Sequence, residues 1–135
     1  MDFDVLIHKL AEDNKWVLLY MQEEDCYKLQ LETPGERHQD VFVSFRRDDS
    51  GSWVASIWSV IAAVEDFNLS DPVELLRFNW RHIYGCLAIA GDEVVLLQNQ
   101  LCDDANWNEV AKAVRNIGFD ADSIEEQIYG DVDEN

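Results

Sequence analysis

The clearest pattern along the chain is a run of apolar residues near the C-terminus that recurs at alternating intervals of three and four. This spacing is typical of one face of an α-helix, so it predicts a helix over residues 107–128. Asp103 or Asp104 is expected to cap it. Gly118 costs about 1 kcal/mol relative to alanine inside a helix, so we expect one bent helix or two nearly coaxial pieces. The stripe must pack on the chain's own sheet or on a second chain. Its members are Trp107, Val110, Val114, Ile117, Ala121, Ile124 and Ile128.

The N-terminal half alternates between helical and strand patterns. Apolar residues at helical spacing predict a first helix over residues 2–13. A compact apolar run at 16–21 and alternating apolar residues at 27–31 and 41–45 predict three strands. Pro34 and Gly35 favour a turn between the last two of these. Residues 53–64 fit either period, although their β-branched and aromatic content favours a central strand buried on both faces.

A second helix is predicted after residue 70. Asp71 is a good N-cap, Pro72 suits the first helical position, and Glu74 falls three residues after the cap. The apolar stripe of this helix is Leu76, Trp80 and Ile83, and Gly85 is expected to stop it. Apolar segments at 86–90 and 94–97 flank Gly91-Asp92, which predicts a hairpin.

These elements predict a single α+β domain over residues 1–135. The expected order is α-β-β-β-α-β-β-α, with an antiparallel sheet packed against helices. Residues 130–135 are expected to form a frayed acidic tail.

Charge narrows the possible partners. The chain has 10 Lys and Arg against 28 Asp and Glu, a formal net charge of −18. Repulsion from phosphates argues against binding nucleic acid or anionic membranes, whereas basic proteins would be tolerated. Three cysteines without a CxxC motif favour a reducing compartment. The N-terminus has no basic segment typical of a signal peptide, and no apolar run reaches the roughly 20 residues that span a bilayer. We therefore expect a cytoplasmic protein.

Catalytic motifs are not evident, so we predict no enzymatic activity and no catalytic, cofactor-binding or metal-binding residues. His82 and Cys86 are four residues apart, but a Cys–His nucleophile needs a third orienting group. Asp120 and Asp122 faintly resemble a calcium loop, which then fails at Ile124. A small-molecule binder or an enzyme with an unrecognised site remains an alternative.

Three of the five tryptophans, Trp53, Trp58 and Trp80, are difficult to place together in one small core. A surplus aromatic surface would be a candidate interface. The alternative is that all five tryptophans are buried.

The stretch 71–128 resembles the C-terminal half of the type III secretion chaperone-like families of bacterial proteins, especially the YbjN-like and Tir-chaperone (CesT)-like sets. The segment Glu-Leu-Leu-Arg-Phe-Asn-Trp at 74–80 carries the resemblance, with Gly85, the strand segments 88–90 and 94–96, and the final helix. The resemblance implies a homodimeric or partner-binding α+β protein without catalytic residues. In secretion chaperones the second helix and neighbouring strands commonly build the dimer. By position, the candidate dimer or partner interface here is Leu75, Phe78, Asn79 and Trp80.

Three hypotheses follow for function. The first is a non-catalytic cytoplasmic homodimer that binds other proteins or peptides through exposed hydrophobic grooves or strand edges. The second is the small-molecule binder or enzyme. The third is an acidic decoy or inhibitor of a basic protein, whose binding would collapse with added salt.

Overall fold

The computed structural model describes residues 2–67, 71–103 and 107–130. It contains three helices, six strands and a short 3₁₀ turn. In chain order the elements are α1 (Phe3–Asn14), β1 (Val17–Met21), β2 (Cys26–Thr33), β3 (Arg37–Arg47), β4 (Trp53–Ala63), the 3₁₀ turn (Val64–Asp66), α2 (Pro72–Arg81), β5 (Cys86–Ala90), β6 (Glu93–Leu101) and α3 (Trp107–Tyr129).

The six strands form one antiparallel sheet in the order β1-β2-β3-β4-β6-β5. The predicted α+β class, with an antiparallel sheet packed against helices, is therefore confirmed. Four strands rather than three precede α2, because the ambiguous segment at 53–64 forms the central strand β4. Its β-branched and aromatic residues fit a pleated position between β3 and β6.

α1 and α3 contact the same face of the sheet, and α2 lies beside its edge strand β5. α3 crosses β2, β3, β4 and β6. α1 reaches this face through Phe3, whose ring stacks on Phe45 at 4.3 Å. α2 is joined to the open edge of the sheet, where Asn79 bonds the main chain of Leu87 in β5. The register places Phe45 and Leu87 on this face, because directly paired residues of antiparallel strands point to the same side.

The apolar stripe of α3 packs on the chain's own sheet. Val110, Val114, Ile117 and Ala121 are buried in the core, and the terminal members of the stripe are partly buried against it. α3 is one continuous helix through Gly118. Of the two proposed caps, Asp104 is one of residues 104–106, which lie outside the described residues, and Asp103 directly precedes them. Residues 131–135 of the expected frayed tail also lie outside the described residues.

The N-terminal signals of α2 and the hairpin turn after it act as the sequence predicts, whereas the predicted stop of the helix does not. The carboxylate of Asp71 accepts a hydrogen bond from the backbone N–H of Glu74, and Pro72 occupies the first helical turn. The predicted end of α2 at Gly85 is wrong: the helix ends at Arg81, because the backbone of His82 is already extended (φ −78°, ψ 130°). Gly85 instead adopts a left-handed backbone conformation with φ +86° in the connection before β5. Gly91 and Asp92 form the two-residue connection of the β5–β6 hairpin. Together these signals fix α2 beside the edge strand β5.

Within the described ranges, no helix combines the length and apolar character needed to cross a membrane.

Candidate interaction surfaces

The four residues predicted for the interface lie on different sides of α2. The side chain of Asn79 accepts a hydrogen bond from the Leu87 N–H at 2.7 Å and donates one to the Leu87 carbonyl at 3.4 Å, so it joins α2 to β5. Phe78 stacks on His82, with ring centroids 4.9 Å apart. Leu75 is partly buried, whereas Trp80 is 90% exposed. Trp80 is therefore the one of the four that is presented to solvent.

The apolar stripe of α2 faces away from the protein. Val73, Leu76 and Trp80 of α2, and Ile83 two residues beyond the helix end, follow at intervals of three, four and three. They are 53%, 69%, 90% and 83% exposed. We call these four residues the α2 stripe. Such a stripe normally packs against the core of its own chain. Here α2 has no buried residue, so the stripe is an apolar surface without a covering element among the described residues.

The segment that carries the α2 stripe is electrically neutral. Between residues 71 and 90 the two acids Asp71 and Glu74 are balanced by the two bases Arg77 and Arg81. Glu74 and Arg77 pair directly at 2.6 Å on the exposed side of α2. In a chain of net charge −18, this segment is a region where two copies would meet little repulsion.

A cavity of about 380 Å³ lies between α2 and the edge strand β5. Most of its lining is aliphatic, and Leu76 belongs both to this lining and to the α2 stripe. A side chain from a partner that covers the stripe could therefore enter the cavity. The lining residues are Phe67, Pro72, Leu75, Leu76, Asn79, Leu87, Ala88, Ile89 and Val94.

The second face of the sheet, which we call the outer face, carries a separate apolar surface. Phe42 and Trp58 are directly paired across β3 and β4, and their rings stack at 5.6 Å. Leu97 is paired with Trp58, and Cys86 with Leu97, so both lie on the same face. None of the three described helices packs on this face. Sequence reasoning counted Trp58 among the three tryptophans that are difficult to place together in one small core.

His82 and Cys86 do not form an evident nucleophile pair. The His82 ring contacts Phe78 and lies with Nε2 3.1 Å from the Asp120 carboxylate, which links the end of α2 to α3. Cys86 is exposed at the start of β5. In the part of the chain that the structure describes, no group of three or more His, Cys, Asp or Glu side chains could hold a metal ion.

One buried charged cluster was missed by the sequence reasoning. The Nε of Arg37 donates to both carboxylate oxygens of Asp122 at 3.0 and 3.2 Å, and its Nη2 lies 3.6 Å from Glu125. Asp122 and Glu125 are 3% and 0% exposed. Asp122 directly follows Ala121 and Glu125 directly follows Ile124, and both of these apolar residues belong to the stripe of α3. This position beside the apolar stripe was the only sequence signal that the two acids are buried. The cluster joins α3 to the start of β3.

No protein-family model and no curated protein matches this chain. A function therefore has to be inferred from the two apolar surfaces.

Proposed function

We propose that this protein is a non-catalytic homodimer that binds other polypeptides, and that two copies pair through the α2 stripe. The observation that carries the proposal is the exposure of Val73, Leu76 and Trp80 along α2, with exposed Ile83 directly after the helix. The resemblance to type III secretion chaperone-like families agrees with it, because it implies a dimer built on the same helix.

The exposed apolar area of the α2 stripe would contribute to a dimer interface but does not complete one by itself. A buried tryptophan removes about 200 Å² from water, and each square ångström of apolar area stabilises by roughly 25 cal/mol. Stable interfaces bury roughly 800 Å² on each partner, which exceeds what the α2 stripe alone supplies. Ile89 and Tyr84, which are 58% and 37% exposed nearby in the chain, would add to the buried area.

A twofold axis suits this surface. In a twofold dimer the same patch of both copies meets, so the charges of the patch must not repel an identical patch. The neutral segment from 71 to 90 meets this requirement, whereas the strongly acidic remainder of the chain does not. Two α2 helices crossing in opposite directions would place Trp80 of one copy against Leu76 of the other.

The test is the solution mass by light scattering coupled to gel filtration. We expect about twice the chain mass of 15.6 kDa, at both low and high salt, because an apolar contact is not screened. Replacing Trp80→Glu should give a monomer, since an uncompensated carboxylate would enter the interface.

Val5→Glu is the matched control. Val5 is 61% exposed on α1, close to the exposure of Leu76, but it lies outside the α2 stripe. This variant should remain a dimer. A wild-type monomer, or a Trp80→Glu dimer of unchanged stability, would contradict pairing through α2.

A further inference from the structure

We infer that the outer face binds a segment of a partner polypeptide that presents a lysine or arginine between apolar residues. The site is a groove of about 320 Å³, which we call the outer groove. This inference rests on the polypeptide binding proposed above but not on the α2 dimer. The lining of the outer groove consists of Met21, Glu24, Cys26, Asp40, Phe42, Trp58, Val60 and Glu93.

The base of the outer groove is apolar. Cys26 and Val60 are 2% and 8% exposed although no described helix covers them. Phe42 and Trp58 stand beside them as a stacked pair, and Met21 comes from the neighbouring strand β1, opposite Cys26. Both rings are only partly buried, so apolar side chains of a partner could still remove them from water.

The rim of the outer groove is acidic. Glu24 lies in the turn between β1 and β2, Asp40 in β3, and Glu93 at the start of β6. Lys28 is paired with Phe42 on the same face but does not line the groove. Three carboxylates around an apolar base are complementary to a cation carried on an apolar segment.

Aromatic rings strengthen this complementarity. A guanidinium or ammonium over the face of a tryptophan is attracted by the ring quadrupole, and more so where water is excluded. The long stems of arginine and lysine also pack on apolar surface while their heads reach acids. A bare inorganic cation would leave the apolar base uncovered, and a wholly apolar segment would leave the rim charges desolvated. The groove therefore favours a basic and apolar segment.

The experiment is the binding of a fluorescently labelled peptide of alternating leucine and arginine, followed by anisotropy at low and high salt. We expect saturable binding that weakens with salt. Two control peptides separate the contributions, one of alternating serine and arginine and one of alternating leucine and glutamine. Both should bind at least about fivefold more weakly, since each lacks one half of the complementarity.

Variants then locate the site. Removing the rim charges with Glu24→Gln and Glu93→Gln together should weaken binding about fivefold at low salt and reduce its salt dependence. The matched control is Glu12→Gln with Glu126→Gln, which removes two exposed charges from α1 and α3. Phe42→Thr, with folding checked by thermal unfolding, should weaken binding about tenfold because it removes the stacked partner of Trp58.

Equal weakening by the rim and control variants would overturn the inference, because it would mean attraction by the net charge alone. Unchanged binding by Phe42→Thr, or equally tight binding of either control peptide, would overturn it as well. Repeating the peptide titration with the Trp80→Glu variant distinguishes failure of the outer groove from failure of the proposed dimer. The outer groove should bind equally well in that variant, while light scattering reports pairing independently.

Discussion

At the scale of single residues, Gly118 determines how closely α3 approaches the sheet. A Cβ atom at this position would lie 2.7 Å from the Leu31 Cδ2 and 3.0 Å from the Val41 Cγ2. Both side chains are fully buried. The glycine that weakens the helix locally therefore allows the helix to pack directly on β2 and β3.

Gly118→Ala should lower the free energy of unfolding by roughly 1 kcal/mol. Alanine favours the helix by about 1 kcal/mol, but overpacking a tight core costs about 1–3 kcal/mol. Urea unfolding at neutral pH measures the difference. The test is a cycle with Leu31→Ala, which vacates the space that the new methyl group needs. In that background Gly118→Ala should be neutral or stabilising, and an equal loss in both backgrounds would contradict the steric explanation.

Single residues also mark where sequence reasoning fails. The spacing of apolar residues identified the buried positions of α3 correctly, because this stripe packs on the chain's own sheet. The same rule identified Leu76, Trp80 and Ile83 as the apolar stripe of the second helix, and all three are exposed. Periodicity shows that a helix has an apolar side, but it does not show what covers that side.

At the scale of elements, a buried charged cluster links the C-terminal half of α3 to the sheet. Arg37 begins β3 immediately after the turn, and it meets Asp122 and Glu125 from one turn of α3. Removing the arginine would leave two carboxylates in the interior without their cation. This is costly because a buried charge loses its hydration.

Arg37→Met should lower the free energy of unfolding by about 3–5 kcal/mol. Chemical denaturation measures the loss. The informative control is the triple replacement Arg37→Met, Asp122→Leu and Glu125→Met, which removes all three charges and keeps side-chain volume. It should regain most of the stability, since apolar residues of similar size can replace a buried ion cluster. A triple variant as unstable as Arg37→Met would show that the charges are not the cause.

Most elements could be predicted from the sequence, because caps, turns and periodicity are local. Asp71, Pro72 and the Gly91-Asp92 turn are such cases, and each lies where it was expected. The burial of Asp122 could not be predicted, because it depends on Arg37, which is 85 residues away in the chain. The outer groove depends likewise on the register of several strands, which no single segment encodes.

At the scale of the whole molecule, charge is unevenly distributed over two apolar surfaces. The α2 stripe lies in a neutral segment, whereas the outer groove is bordered by three carboxylates. Two identical surfaces can meet only where the repulsion between their charges is weak. The neutral α2 stripe therefore suits a second copy of the chain. The outer groove suits a basic partner. Under the two proposals, one acidic chain would pair with itself and bind a cationic segment at separate surfaces, so the two contacts would not compete.

The stability of the whole molecule should fall in alkaline solution, partly through one buried thiol. Burial, with a smaller contribution from the nearby Asp103 charge, raises the pKa of Cys102 from its ordinary value of 9.0 to about 11. Between these values the folded chain keeps the proton and the unfolded chain loses it. This contribution to stability is therefore fully present below the ordinary pKa and is lost as pH rises through the folded pKa. Burial raises the pKa of Cys26 as well, in the same direction.

Cys102→Ala should flatten the decline in the free energy of unfolding between the two pKa values of this thiol, 9.0 and about 11. Urea titrations at several pH values in this window measure how steeply the free energy of unfolding falls with pH. The smaller alanine side chain lowers that free energy equally at every pH, so it does not change the slope. Other groups also lose protons at high pH, and the repulsion that this adds is the same in wild type and in Cys102→Ala. It therefore does not change the difference between their slopes. Cys86→Ala, at an exposed cysteine, should keep the wild-type slope. Parallel curves for wild type and Cys102→Ala would mean that the alkaline loss arises from the growing net charge rather than from this thiol.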